Sequence, residues 1–166
     1  VRTLISTRQG GISQGVFSGL NVGEHVGDDA AAVAHNRTLV EQQAGRALAY
    51  LNQTHSTTVV AAADALAALE AGEPLNADAS VGSDGAAACA VMTADCLPVL
   101  FCDRAGSTVA AAHAGWRGLA GGVLQNTVAA MKVPPLEIMA YLGPAIGADA
   151  FEVGQDVWDA FCLPMP

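Results

Sequence analysis

The sequence predicts one domain in which short β-strands alternate with a few α-helices, and two of its features indicate this. Hydrophobic residues make up 52% of the 166 residues, enough to bury a sizeable core. Apolar residues form short runs such as Leu97 to Cys102, typical of buried strands, and recur at helical spacing after Trp116. We find no internal repeat, low-complexity tract or interdomain linker, so we expect residues 1–166 to form a single domain.

The first predicted elements are a strand and a capped helix. Residues 2–7 have the composition of a strand, which the turn Arg8-Gln9-Gly10-Gly11 ends because adjacent glycines permit positive φ. A loop rich in glycine and serine follows. Asp28 or Asp29 can then accept hydrogen bonds from the first turn of a helix that Gly45 ends.

The next segments predict two short strands around a polar turn. Residues 47–52 and 57–63 flank Gln53-Thr54-His55-Ser56, and the second segment begins with β-branched residues that favour extended backbone. The stretch 66–85 contains glycine and polar residues, and we expect it to be a connection without regular structure.

The remaining chain predicts six elements. They are buried strands at 89–93 and 97–102, a strand at 107–112, a helix at 116–131, a strand at 136–142 and a helix at 153–161. Ala94-Asp95-Cys96 separates the first two of these strands. Gly115 permits a sharp turn, which places His113 at a strand-to-helix junction. The chain ends at Leu163-Pro164-Met165-Pro166 without a completed element, so we expect the C-terminal portion of the fold to be missing.

Charge and cysteine content narrow the class of function. Seven Lys and Arg against sixteen Asp and Glu give a net charge of -9, which repels nucleic acid and anionic lipid. The four cysteines form no C-x-x-C pair and lie in apolar contexts, so we expect them to be reduced. With no targeting segment recognisable at the start, we expect a cytoplasmic protein; the sequence predicts no oligomeric state.

Three short segments each contain one metal-ligand residue in an otherwise ligand-poor sequence. They are Asn52-Gln53-Thr54-His55, Asp95-Cys96-Leu97-Pro98 and His113-Ala114-Gly115-Trp116-Arg117-Gly118. Two imidazoles and one thiolate can hold Zn²⁺ and leave its fourth tetrahedral position open, as in catalytic zinc sites. The sequence therefore predicts a small-molecule enzyme with His55, Cys96 and His113 as zinc ligands.

Each of these ligands also has a simpler interpretation. His55 is equally consistent with a hydrogen-bonded turn histidine, Cys96 with a small buried apolar residue, and His113 with a core histidine. The polar neighbours of His55, which can orient its ring, and the irregular backbone expected around Cys96 favour the ligand role. Cys96 can instead be a nucleophile with either histidine as its base, which would give a hydrolase such as a deamidase.

Other candidate residues carry weaker signals. Arg8 precedes a flexible glycine pair and can bind phosphate in a bidentate manner, and Arg117 can reinforce an anion site at the helix after Gly115. His25 and His35 lack a comparable context. H-E-x-x-H, the nucleotide P-loop and the H-x-E with P-C-x-x-C signature are absent, which argues against a metalloprotease, a P-loop protein and a conventional zinc nucleobase deaminase.

A combination of motifs resembles a known family. The motifs are Ser6-Thr7-Arg8-Gln9-Gly10-Gly11-Ile12-Ser13, Ser18-Gly19-Leu20-Asn21-Val22-Gly23, Asn36-Arg37, the run from Val91 to Phe101, His113 to Gly118, and Leu142 to Gly147. Together with the three ligand segments they resemble the YfiH-like laccase-domain proteins, also described as polyphenol oxidases and as multifunctional purine nucleoside phosphorylases. The resemblance covers nearly the whole chain.

The resemblance implies a fold and a chemistry. The fold is α+β, with layered mixed β-sheets flanked by helices in an αββα sandwich, and the zinc ligands correspond to His55, Cys96 and His113. The implied reactions are phosphorolysis of purine nucleosides (adenosine, inosine, guanosine and methylthioadenosine) and deamination of adenosine. Family members usually continue past this chain's endpoint, including an arginine-rich stretch that it lacks.

A hypothetical mechanism for these reactions gives roles to further residues. Arg8, Asn21 and Arg117 are predicted to bind substrate or phosphate, and Asp95 to carry a proton during deamination. Two alternatives remain at the same ligands: a copper-dependent polyphenol oxidase, with Cu²⁺ in place of Zn²⁺, and the Cys-His hydrolase. Four histidines without an H-x-H pair are few for a multicentre copper oxidase.

Overall fold

The computed structural model describes residues 1–83 and 85–163, which fall into two compact units, one of residues 2–48 and one that begins at Ala49. The helices are α1 (Ala30–Ala44), α2 (Ala62–Glu70), α3 (Trp116–Gly121), α4 (Val123–Met131) and α5 (Gln155–Cys162). The strands are β1 (Leu48–Ala49), β2 (Val59–Ala61), β3 (Ala79–Gly82), β4 (Ala88–Cys89), β5 (Leu97–Asp103), β6 (Val109–Ala114) and β7 (Ile138–Leu142). Within the described residues, none of the helices combines the length and apolar character that crossing a membrane requires.

The smaller unit is built on α1, whose ends are as predicted. The Asp29 carboxylate accepts a hydrogen bond from the Ala32 amide at 2.8 Å, and Gly45 ends the helix with a left-handed φ of 68°. Asn36 projects from the helix and is fully buried. Its amide oxygen accepts from the Ile12 amide at 3.0 Å, and its nitrogen donates to the Asn21 carbonyl at 2.8 Å, so one side chain fixes both ends of the loop.

The strand predicted at 2–7 is wrong. These residues are exposed and have no regular secondary structure, and no ladder partner for them lies among residues 1–83 and 85–163. Strand propensity reflects packing against neighbouring strands more than backbone preference, so it cannot form a strand where no neighbour is present.

The larger unit contains a five-stranded sheet in the order β2-β3-β6-β5-β7, in which only β2 and β3 are parallel. A second sheet pairs β1 with β4. Helix α4 covers one face of the larger sheet. The buried residues of the core between them are Ala79, Val99, Phe101, Ala110, Ala112, Ala114, Val123 and Met131. A second core holds α2, with Ala49, Leu51, Ala62, Ala65, Ala77 and Ala87 buried. The α+β class with layered sheets and helices is confirmed.

The middle segments differ from the predictions. The strands predicted at 47–52 and 57–63 are shorter, and the one predicted at 89–93 overlaps β4 at Cys89 alone. The stretch 66–85 contains the second half of α2 and all of β3. The alanines from Ala62 onward favour helix strongly enough to end the β-branched run. Three of the four residues of β3, Ala79, Ser80 and Gly82, have little strand propensity of their own, so its pairing with β2 and β6 is what makes it a strand.

The predicted helix at 116–131 is two helices. Gly122 has a φ of 98°, which ends α3 and begins α4 in a new direction. The other predicted elements are confirmed with shifted ends, β5, β6, β7 and α5 among them. The prediction that no element is completed at the chain end concerns residues 164–166, which lie outside the described residues.

Asp103 offers a test of the sheet's turn between β5 and β6. Its buried carboxylate accepts hydrogen bonds from the Ser107 hydroxyl, the Ser107 amide at 2.7 Å and the Thr108 amide at 3.0 Å. The hydrogen bond from the Ser107 side chain, followed by that from the Thr108 backbone, holds the pKa of Asp103 below its ordinary value.

Replacement Asp103→Asn should therefore lower the free energy of unfolding at neutral pH. It should also reduce the loss of that free energy as the pH falls. Because the pKa is lower in the folded state, the ionised carboxylate stabilises the fold above the unfolded value of about 3.9 and loses that effect as the pH falls through the folded value. Urea unfolding at about pH 7 and about pH 3 measures both quantities. Exposed Glu73→Gln is the control, and an unchanged pH dependence in Asp103→Asn would contradict the assignment.

Candidate metal centre

The register of the larger sheet brings two of the predicted ligands to one edge. Leu97 at the start of β5 pairs with Ala114 at the end of β6, so Cys96 and Gly115 lie opposite each other one position further along. His113 is the next-to-last residue of β6. Its neighbours Ala112 and Ala114 face the core that α4 covers, so the His113 side chain points to the opposite face, because alternate residues of a strand face opposite sides. His113 is buried, and Cys96 is half-buried.

The third ligand comes from the loop between β1 and β2. His55 has a φ of 60°, in the left-handed region that residues other than glycine adopt infrequently and at some cost. Its exposed ring brings Nε2 to 3.7 Å from the Cys96 sulfur, and its centroid lies 4.8 Å from that of His113 in an edge-to-face arrangement. The ligand atoms of His55, Cys96 and His113 all lie within 4.8 Å of one another.

Asp78, which the sequence analysis missed, organises both histidines. It is fully buried and directly precedes β3. Its Oδ2 accepts from the amides of Thr54 and Ser56 at 3.2 and 2.6 Å and from the Ser56 hydroxyl at 2.7 Å. Its Oδ1 accepts from the His55 amide at 3.0 Å and pairs with His113 Nδ1 at 2.9 Å. Burial raises the pKa of Asp78, but the hydrogen bonds from His113 and Ser56 outweigh it and lower the pKa overall.

A second connection fixes the loop to the segment that leads to Cys96. The Gln53 side chain donates to the Met92 carbonyl at 2.8 Å and accepts from the Met92 amide at 2.7 Å. We predicted that the polar neighbours of His55 orient its ring. Instead, Gln53, Thr54 and Ser56 fix the loop backbone, and the Asn52 side chain bonds to Asn76.

Gly115 leaves the space that the cluster occupies. A Cβ atom at this position would lie 2.5 Å from His55 Cδ2 and 3.1 Å from the Cys96 sulfur. Its φ of -61° and ψ of 156° are open to any residue, so only close approach requires glycine here. Burial, followed by the charges of Asp95 and Asp78, raises the pKa of the Cys96 thiol. The same two carboxylates favour a cation beside the sulfur.

The donor set fits one metal ion. Tetrahedral zinc with bonds of about 2.0 Å to nitrogen and about 2.3 Å to sulfur separates its ligand atoms by about 3.5 Å. The distance between His55 and Cys96 already matches this value, and the longest separation needs only a small side-chain movement. Asp78 occupies His113 Nδ1, so Nε2 is the nitrogen left for a metal. Within residues 1–83 and 85–163 this group contains no fourth protein ligand.

The other predicted site residues are distributed over both units. Asp95 is exposed beside Cys96, and the Arg117 guanidinium lies over the Trp116 ring with its carbon 4.2 Å from the centroid. In the smaller unit, Arg8 donates to the Ser18 carbonyl at 3.0 Å, and the Asn21 amide donates to Asp28 at 2.8 Å. His25 and His35 are exposed residues of the smaller unit.

The sequence did contain a faint signal for Asp78. It is an acidic residue in Asn76-Ala77-Asp78-Ala79-Ser80, between small residues typical of tightly packed backbone. An unpaired charge is not tolerated in such a position, so a buried partner would have been the physical inference. Treating 66–85 as a connection removed that possibility.

Comparison with known proteins identifies the family. A family model described as multi-copper polyphenol oxidoreductase laccase matches residues 2–165, and the chain belongs to this family. The resemblance to YfiH-like proteins is likewise confirmed, since the chain is 48% identical over 162 residues to purine nucleoside phosphorylase YfiH of Escherichia coli, covering 94% of this chain and 63% of the relative.

Two further relatives extend the comparison. Purine nucleoside phosphorylase PA4543 of Pseudomonas aeruginosa is 51% identical over 161 residues, covering 97% of this chain and 64% of the relative. The crystal structure of Neisseria meningitidis protein NMB0706 superposes on this chain with a TM-score of 0.92 and 71% sequence identity, covering 98% of this chain and 65% of that one. The chain therefore spans slightly less than two thirds of the length of these proteins.

Replacement Gly115→Ala should weaken zinc binding by about tenfold or more without unfolding the protein. The added methyl group would push the His55 ring away from the Cys96 sulfur, while the backbone conformation remains accessible to alanine. Competition with a chromophoric chelator measures the affinity, and circular dichroism checks the fold. Gly147→Ala is the control, because its Cβ would meet nothing within 4 Å. Equal zinc affinity in both variants would contradict the crowding argument.

Proposed function

We propose that the protein is a zinc-dependent purine nucleoside phosphorylase that also deaminates adenosine. The observation that carries the proposal is the cluster of His55, Cys96 and His113, which offers two imidazoles and one thiol with an open coordination position. The names of two relatives at 51% and 48% identity support phosphorolysis as the reaction. Adenosine, inosine, guanosine and methylthioadenosine are the proposed substrates, with phosphate as the second reactant.

The cluster is open to substrate on the side of His55. The His55 side chain is exposed and Cys96 is half-buried, whereas His113 is buried and bonded to Asp78. A nucleoside would therefore approach over His55 and Asp95, with His113 behind. When bound at the three ligands, zinc would supply a Lewis acid that stabilises developing negative charge.

Phosphate binding needs local positive charge, since the chain as a whole carries a net charge of -9. We propose Arg117 for this role in the larger unit, because its side chain is exposed and its guanidinium lies over the Trp116 ring. Arg8 is proposed to bind phosphate through the N–H groups that do not contact Ser18. Asn21 is proposed to contribute by shaping the loop that it joins to Asp28.

Bond changes in the two reactions define what the residues must do. In phosphorolysis, a phosphate oxygen forms a bond to the ribose anomeric carbon while the bond to the purine nitrogen breaks, and the released base takes up a proton. In deamination, water replaces the amine and ammonia leaves. Asp95 is the proposed proton carrier, because it is an exposed carboxylate directly adjacent to Cys96.

Replacement Cys96→Ala should remove bound zinc and lower kcat/KM for phosphorolysis by at least about 100-fold, since the ion loses its only sulfur ligand. Adenosine incubated with and without phosphate, with products separated by chromatography, distinguishes adenine with ribose phosphate from inosine. Cys102→Ala, near the end of β5 that is remote from Cys96, is the control and should retain both zinc and activity. Full phosphorolysis by Cys96→Ala would reject a shared metal site for the two reactions.

Metal identity is the second test. We expect a chelator to abolish phosphorolysis and Zn²⁺ to restore it, because a site with two imidazoles and one thiolate suits zinc. Phenol oxidation that returns with Cu²⁺ alone would favour the copper oxidase suggested by the family's description. Activity that survives the chelator and yields a trapped thioester would favour the hydrolase, which the 3.7 Å approach of His55 to the Cys96 sulfur makes geometrically reasonable.

A further inference from the structure

We propose that Asp78 is the positioning residue of this site, which sets the tautomer of His113 and the conformation of the His55 loop through one carboxylate. The inference rests on the proposed function only in assuming that the cluster binds a metal. Nothing in the sequence motifs or in the roles proposed above includes Asp78. It is closed to solvent and hydrogen-bonds to His55 and His113, so it positions the ligands through the two histidines.

The other hydrogen bonds of the Asp78 carboxylate determine the direction of its bond to His113. Both oxygens of Asp78 accept from backbone amides, Oδ1 from His55 and Oδ2 from Thr54 and Ser56. An ionised carboxylate has no proton to donate, so His113 Nδ1 must carry the proton of their 2.9 Å contact. His113 Nε2 is then an acceptor, the form in which imidazole binds a metal.

The Asp78 carboxylate also fixes the backbone conformation at His55. Three consecutive amides, those of Thr54, His55 and Ser56, converge on the same carboxylate. This convergence offsets the cost of the left-handed backbone at His55 and holds its ring toward Cys96. The backbone of Asp78 adds a bond of 2.7 Å from the His113 amide to its carbonyl, so the carboxylate itself is held in register with β6.

Replacement Asp78→Asn changes the hydrogen bonds of this side chain while keeping nearly the same volume. The asparagine amide has nearly the same shape, but one of its two ends becomes an N–H donor. With that end at the Oδ2 position it faces the Ser56 amide, 2.6 Å away, and repels the loop. With that end at the Oδ1 position it faces His113 Nδ1 and moves the proton to Nε2, where it blocks metal binding. Neither orientation preserves the site.

The matched control is Asp103→Asn. Asp103 is also a buried carboxylate of the larger unit that accepts from two backbone amides and one serine hydroxyl. It lies at the opposite end of β5 from Cys96. Both substitutions should cost stability for the same reason, and only Asp78→Asn should change the metal site.

The experiment combines two readouts on the intact protein. Zinc competition titration should show an affinity about 10–100-fold lower for Asp78→Asn and unchanged for Asp103→Asn. Long-range ¹⁵N–¹H correlation of metal-free, ¹⁵N-histidine-labelled protein at about pH 8 should show His113 protonated at Nδ1 in wild type and in Asp103→Asn. The tautomer of His113 is measured on the wild-type protein, so that result does not depend on whether a variant folds.

The outcomes are separable. Wild-type zinc affinity in Asp78→Asn, or a wild-type His113 protonated at Nε2, would overturn the role of Asp78 even if phosphorolysis is found. A wild-type protein with the Nδ1 proton on His113 that binds no zinc would support the positioning by Asp78 and reject the proposed metal-dependent function. Loss of affinity in Asp78→Asn together with the predicted tautomer supports the positioning by Asp78 and the metal site itself.

Discussion

The buried carboxylate of Asp78 is the interaction on which the candidate site depends. A charge in a fully buried position is costly unless hydrogen bonds surround it, and here backbone amides, a hydroxyl and an imidazole do so. These donors come from the His55 loop and from β6, segments that are more than 50 residues apart in sequence. Hydrogen-bonding one buried charge therefore brings together two of the three proposed metal ligands.

Small side chains allow this assembly to be compact. β3 and β6 are built mainly from alanine, serine and glycine, so neighbouring layers approach closely. Helix α3 has glycine at two positions that face the loop after His55: a Cβ at Gly118 would lie 2.9 Å from the Ser56 carbonyl and one at Gly121 2.8 Å from the Thr57 side chain. Together with Gly115, these residues explain the abundance of glycine in this part of the chain, because each removes a specific clash.

The sequence was most informative where local chemistry determines structure. The cap at Asp29, the end of α1 at Gly45 and the three ligand-bearing segments follow from side-chain and backbone properties within a few residues. It was least informative where tertiary pairing decides, as for β3, whose small residues become a strand only between β2 and β6. Asp78 was missed for the same reason, because its partners His55 and His113 are distant in sequence.

The central claim is that the two histidines and Cys96 bind one metal ion while a coordination position stays open. Zinc K-edge X-ray absorption of the intact, zinc-loaded protein tests it most directly. We expect one sulfur at about 2.3 Å, nitrogen or oxygen at about 2.0 Å, and the outer-shell scattering of two imidazoles. A spectrum without sulfur, or with two or more sulfur ligands, would contradict the assignment of His55, Cys96 and His113 as the metal ligands.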